Sequence, residues 1–371
     1  MGVAVAGLLV GCVLLVLQFA RLGWEPTAPF VVGTSWGLDE ELAARHVRVR
    51  VTPGNGYDGQ WFLGLAYDPM LGERLAASFD MPRYRAGRPL QAVVGWLLAG
   101  GRASAIPLAL LAVGPLAVAL GSAATGRLVA ACGRSPWWGL GFALVPGVAV
   151  GVTFGTAEPL ALALAALGLS LVLDRRSIAS GFAFAGAALT KESYLVFAVA
   201  AAAWLALGVG RRRLARFAEA AAVLAPGVVM LGLWWVYVAW RIPAGAGGEG
   251  EAMGAVGPPL AGWGHALGMV IRGDYVPDAP VGPLGAALLI GSLVATVAAT
   301  VLGLRRATLL GRAGLLLGLY GLVLSGELLG RFLSSMRVLA PTVLAACLAI
   351  AAEVTTAAKA RQEAKAPSST P

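Results

Sequence analysis

Apolar runs recur from one end of this 371-residue chain to the other, and several of the short turns between them are rich in arginine. That pattern leaves few folds open. Inside a hydrocarbon layer every backbone N–H and C=O must find a partner within the protein, which a helix supplies within its own segment. Runs of this length recurring from end to end read as membrane helices. Only 13% of the residues are charged and 58% are hydrophobic, where a soluble domain would carry roughly 25% charged residues. The expected class is all-α, a polytopic transmembrane helix bundle.

Ten spans are expected, at about 2–20, 104–126, 137–153, 159–173, 178–190, 193–209, 217–240, 282–304, 308–326 and 334–352. The first has no basic residue before it and ends at Arg21, which reads as a retained helix rather than a cleaved leader. The apolar stretch 88–101 is too short to span and reads as re-entrant or interfacial. Residues 1–353 form one transmembrane domain, and 354–371 are expected to be a disordered cytoplasmic tail. Abundant glycine and alanine suit close helix packing in lipid. Cys12, Cys132 and Cys347 lie within or at the ends of apolar runs at no metal-site spacing, so neither a disulfide framework nor a zinc site is expected.

Charge orients the bundle. With the N-terminus inside, the cytoplasmic turns and tail hold fourteen basic residues against four acidic ones, and the other face holds fourteen against fifteen. This is the positive-inside pattern with both termini in the cytoplasm. The basic character is therefore a topology signal. Arginines dispersed among membrane turns, with no basic domain, argue against a nucleic-acid partner. The same orientation puts the polar features of interest on the extracytoplasmic face, in loops 21–87 and 241–281 and at Glu158, Lys191 and Glu192. The expected location is the cell (plasma) membrane, multi-pass.

Five constellations on that face carry candidate chemistry. Asp58 lies in Gly54-Asn55-Gly56-Tyr57-Asp58-Gly59-Gln60-Trp61, where glycine permits close ligand approach and Tyr57 and Trp61 suit an interface or a sugar ring. Its two readings are a catalytic base or metal ligand, and an ordinary Asp-Gly turn. The run 60–66 reads as a short amphipathic helix lying on the membrane. Arg83, Arg85 and Arg88 could clamp a phosphate, or meet lipid headgroups, or pair with Asp80 and Glu73. Glu158 before Pro159 is a helix-start residue or a second cavity carboxylate. Lys191-Glu192 between two apolar spans is costly unless paired or functional. Glu327 and Arg331 have the spacing of a helix-surface ion pair, while Arg331 or Arg337 alternatively reaches a phosphate from the last outer loop. His265 is a weaker candidate base, in a loop expected to fold over the site.

Tyr57-Asp58-Gly59-Gln60-Trp61-Phe62, followed by Ala66-Tyr67-Asp68-Pro69, Arg83-Tyr84-Arg85 and Arg88-Pro89-Leu90, resembles the first-loop signature of polytopic GT-C glycosyltransferases, closest to a bacterial branch associated with cell-surface glycopolymer formation. Thr156-Ala157-Glu158-Pro159-Leu160 and Leu189-Thr190-Lys191-Glu192 resemble further segments of that group. The likeness covers about residues 50–195, and beyond them rests on hydropathy with Arg337 and Pro341. It implies transfer of a sugar from a polyprenyl-phosphate donor to a glycan or lipid acceptor on the outer face. Asp58 would be the catalytic base, or would help hold a divalent metal (Mg or Mn). Tyr57, Gln60, Trp61, Arg83, Arg85, Arg88, Glu158, Lys191, Glu192, Arg331 and Arg337 would contact substrate. Many relatives have paired acids in this loop, whereas Asp58 has none adjacent, which weakens the metal version more than the base version. The alternative is a non-catalytic polytopic protein, a lipid-linked glycan transporter or an assembly scaffold. A transporter would place charges mid-span. Here those positions are nearly bare, which favours a one-sided enzyme site.

Overall fold

A computed structural model describes residues 1–208, 213–243, 256–274 and 282–365. It is 78% helical with almost no sheet. Each of the ten expected spans is helical over most of its length, but their lengths divide them. Gly2–Leu22, Ala103–Ala131, Arg213–Arg241, Pro283–Arg305 and Phe332–Glu353 are long and apolar enough to cross a membrane. Pro136–Leu144 and Pro146–Phe154 make a sixth only if taken as one broken span, bent by 60°. The break sits where a proline forbids continuation: Val145, the residue before Pro146, is extended at φ −63°, ψ 118°.

The other four helices, Glu158–Leu173, Ser177–Thr190, Glu192–Leu207 and Leu309–Leu322, are shorter. Ser177–Thr190 has 14 residues and so reaches about 21 Å, against a hydrocarbon layer of about 30 Å. By length alone these four do not qualify as spans. Glu158–Leu173 is apolar around most of its circumference and sits in the middle of the bundle, touching Ile106–Ala131, Ser177–Thr190, Leu195–Leu207 and Phe332–Lys365. Its Ala161, Leu162, Ala163, Ala165 and Ala166 are fully enclosed. Gly2–Leu22, Arg213–Arg241 and Gly282–Arg305 instead expose Leu9, Val13, Leu233, Val236, Val294 and Leu304 outward, as lipid-facing helices do.

Small residues let these helices approach. Gly7 and Gly11, four apart, put one face of Gly2–Leu22 against Ile106–Ala131. A Cβ on Gly11 would stand 2.7 Å from the Pro115 Cα.

The first loop has its own core. Val32–Gly33 pairs in parallel with Val51–Thr52. Around that bridge the short helices Leu38–Ala44, Gly59–Tyr67, Glu73–Ala77 and Pro82–Ala86 bury Phe30, Leu38, Leu42, Leu63, Leu71 and Leu75 completely. The helix expected to lie on the membrane, now Gly59–Tyr67, is enclosed from Gly59 through Ala66. Leu90–Leu98, within the stretch read as re-entrant, packs on it and on Ile106–Ala131. All three cysteines are free. The last helix continues past Glu353 to Lys365, into the stretch expected to be a disordered tail, and residues 366–371 lie outside the described chain.

Candidate functional site

Asp58 caps the approach to Gly59–Tyr67, and its position is set by a close backbone contact one residue on. A Cβ on Gly59 would come within 2.1 Å of the Phe154 carbonyl oxygen, so only glycine lets the first loop seat against the bent helix pair. The carboxylate that results is gripped on both oxygens. Arg85 Nη1 donates to Oδ1 at 2.9 Å and Arg337 Nη1 donates to Oδ2 at 2.7 Å. Arg337 Nη1 also donates to the Tyr57 hydroxyl at 3.1 Å, and the Tyr57 ring packs on Phe154 at 5.1 Å between centroids.

From Asp58 the charges run inward. Arg337 Nη2 reaches Glu158 Oε1 at 2.9 Å. The same oxygen takes Lys191 Nζ at 2.9 Å, and Thr156 Oγ1 donates to Oε2 at 2.6 Å. Glu158 is the first residue of Glu158–Leu173, Lys191 is the C-cap of Ser177–Thr190 in extended backbone, and Arg337 lies near the start of Phe332–Lys365. Three helix ends thus meet at one ion cluster. Outward from Asp58, Arg85 is held by both oxygens of Asp80 at 2.8 Å each. Arg88 makes a bidentate pair with Glu192 at 2.7 and 2.5 Å, bonds the Tyr84 hydroxyl, and lies 4.1 Å from the Tyr84 ring centroid.

Four carboxylates (Asp58, Asp80, Glu158, Glu192) therefore face four cations (Arg85, Arg88, Lys191, Arg337), a balanced set. Exposure grades across it. Glu158 is sealed at 0%, while the Asp58 and Glu192 side chains are 28% and 31% exposed. Burial opposes ionisation of Asp58, but the Arg85 and Arg337 charges outweigh it and hold the carboxyl well below the usual carboxylate range. Burial pushes the Tyr57 phenol up to about 12, so it stays protonated.

Several sequence candidates sit elsewhere. Gln60 is 1% exposed and already used: Oε1 accepts from Gly33 N at 2.9 Å and Nε2 donates to the Asn55 carbonyl at 2.7 Å, so it pins the loop. Trp61 is 2% exposed in the loop core against Phe79, with Arg85 5.5 Å from its ring centroid. Neither side chain is open to solvent. The three first-loop arginines do not form one clamp. Arg83 donates from Nε to the Ile242 carbonyl at 3.0 Å, and Arg85 and Arg88 go to separate acids. Glu327 and Arg331 are both exposed and make no ion pair among the described residues, and Arg331 is apart from the cluster that Arg337 joins. His265 is exposed on Ala261–Arg272, beside Gly326. The expectation that loop 241–281 folds over the site falls partly on 244–255 and 275–281, outside the described residues.

Asp80 takes the pairing with Arg85 that was one of the sequence alternatives, while Thr156 and Tyr84 join the cluster without having been singled out. A hydroxyl two residues before a helix-starting acid was the available signal for Thr156. The Tyr194 hydroxyl and Arg337 Nε are buried with no hydrogen-bond partner among the described residues. As placed, the donor set does not fit a divalent metal. Both Asp58 oxygens face guanidinium groups, Glu158 is bonded by Arg337 and Lys191, and no group of three His, Cys, Asp or Glu side chains converges among the described residues. No family model matches the chain, and comparison with curated proteins and with solved structures finds no match.

Proposed function

We propose that the chain is a GT-C-type membrane glycosyltransferase that moves a sugar from a polyprenyl-phosphate donor to a cell-envelope glycan or lipid acceptor on the extracytoplasmic face. The proposed orientation has both termini in the cytoplasm. One observation carries the reading: a partly open carboxylate, Asp58, shares its oxygens between two arginines where three helix ends meet. A base beside cations is the inventory that such a transfer needs.

In the reaction an acceptor oxygen attacks the anomeric carbon as the bond from that carbon to the phosphate oxygen breaks. The bond's electron pair leaves with the phosphate, and the acceptor proton passes to Asp58. A carboxylate gripped by two guanidinium groups is a weak base. The donor phosphate would compete for Arg85 and Arg337, and the unpartnered Arg337 Nε is a further donor for it. As those arginines turn to phosphate, Asp58 recovers basicity. The base is then strongest when the donor is bound.

The rival is the non-catalytic reading, a transporter or scaffold. It draws support from the balance of the cluster, since mutually saturated charges serve equally well as a brace. Reconstituted vesicles with a labelled polyprenyl-phosphate sugar separate the two. The enzyme gives a new glycosidic product that Asp58→Asn abolishes while insertion is kept. Movement of label across the bilayer with no product would establish the rival.

A further inference from the structure

About 24 Å from Glu158, at the other end of its 16-residue helix, lies a cavity that the transfer reaction does not use. It has a volume of about 480 Å³ and is built where several turns meet: the end of Glu158–Leu173, the start of Ser177–Thr190, the end of Leu195–Leu207, the start of Arg213–Arg241 and the turn into Leu309–Leu322. Arg175 lines it from the turn after Glu158–Leu173, and Arg216 and Arg312 line it from the starts of their helices. None of the three has an ion-pair partner among the described residues, and the Arg216 Nε is buried without a hydrogen bond. Glu219, which has an interaction of its own, is the one carboxylate on the wall among the described residues. The remaining wall is apolar, with Leu173, Trp204 and Leu205.

This contrasts with other basic positions at the same end. Arg127 pairs with Asp174 and Arg306 pairs with Glu353, both on the surface. Three guanidiniums around a cavity, against one carboxylate, leave net positive charge directed into it. Guanidinium groups bind phosphate oxygens through paired N–H donors. An apolar wall beside them suits a ligand that carries a hydrocarbon chain behind its phosphate.

We infer that this cavity is a binding site for a phosphate group, whether on an anionic lipid headgroup or on a free phosphate compound, and that it is separate from the Asp58 cluster. The inference stands whether or not the chain is a transferase.

Native mass spectrometry of the full chain, released from detergent with phosphatidylglycerol or phosphatidylcholine, tests it. The expected result is one retained phosphatidylglycerol, favoured over phosphatidylcholine, with retention falling about tenfold or more in Arg216→Gln/Arg312→Gln and unchanged in Arg305→Gln, an exposed arginine outside the cavity. Pyrophosphate is the second probe. If it binds the parent and displaces the lipid, the natural source includes soluble phosphates; if it does neither, the source is a lipid headgroup. If the double variant is poorly folded, Arg312→Gln and Arg312→Lys are compared, and the lysine variant keeps the larger share of retention. Equal retention by the cavity variants and Arg305→Gln, or no preference for the anionic lipid in the parent, overturns the site.

Discussion

The two ends of the bundle use the same residue types in opposite ways. At the Asp58 end, charges from far apart in the chain close on one another inside the protein: Arg88 with Glu192, Arg337 with Asp58 and Glu158, Lys191 with Glu158. At the other end, Arg127–Asp174 and Arg306–Glu353 are surface pairs with side chains between 35% and 58% exposed, and Arg175, Arg216 and Arg312 line a cavity without ion partners among the described residues. The difference is one of environment. An exposed pair gains about 0–1 kcal/mol, because water solvates either partner alone. A buried charge left without its partner costs about 3–5 kcal/mol. The first end is thus committed to its arrangement, and the second is free to take an external anion.

The largest predicted effect breaks the committed end. Glu158→Ala would strand Lys191 and Arg337 and should cost about 3–5 kcal/mol, read as a large fall in thermal unfolding temperature in detergent. An effect under about 1 kcal/mol would show that water reaches the cluster freely. Next, Gly11→Leu should cost about 1–3 kcal/mol by forcing Gly2–Leu22 off Ile106–Ala131, measured the same way.

How much of this was legible beforehand follows the same physics. The ten apolar segments were readable as helices because an apolar run between turn residues stays one whatever surrounds it. Which of them cross a bilayer was not, since Ser177–Thr190 looks equally apolar facing protein or lipid. Asp58 could be singled out by its glycine-rich loop, Glu158 as an acid at a helix start, Lys191 as a costly charge between apolar runs, and Arg337 as a cation of the last outer loop. Their pairing could not, because Arg337 and Asp58 are separated by 279 positions. Gln60 and Trp61 misled for a local reason. They neighbour Asp58 in sequence, but on a helix enclosed nearly all round they turn into the core. Arg331 misled likewise, as it precedes the helix that carries Arg337 inward.

Proton linkage sharpens the comparison with a smaller effect. The folded-state carboxyl of Asp58 is depressed, so the stability it contributes is present above the unfolded value of about 3.9 and is lost as pH falls through the lower folded value. The stability difference between parent and Asp58→Asn should therefore be constant from pH 5 to 8, and should shrink only in stronger acid. For the same reason kcat/KM for transfer should show no acidic limb from Asp58 in that range. The smallest effect belongs to the surface end. Glu353→Gln should change stability by less than about 1 kcal/mol and leave transfer unchanged.

The central claim is that Asp58 takes the acceptor's proton. It is tested most directly by single-turnover transfer from a labelled polyprenyl-phosphate sugar in vesicles, comparing the parent with an Asp58→Asn variant whose unfolding temperature shows that it is folded. Removing a positioned base should slow transfer by about 10²–10⁴-fold. Transfer at the parent rate by the folded variant would contradict the account.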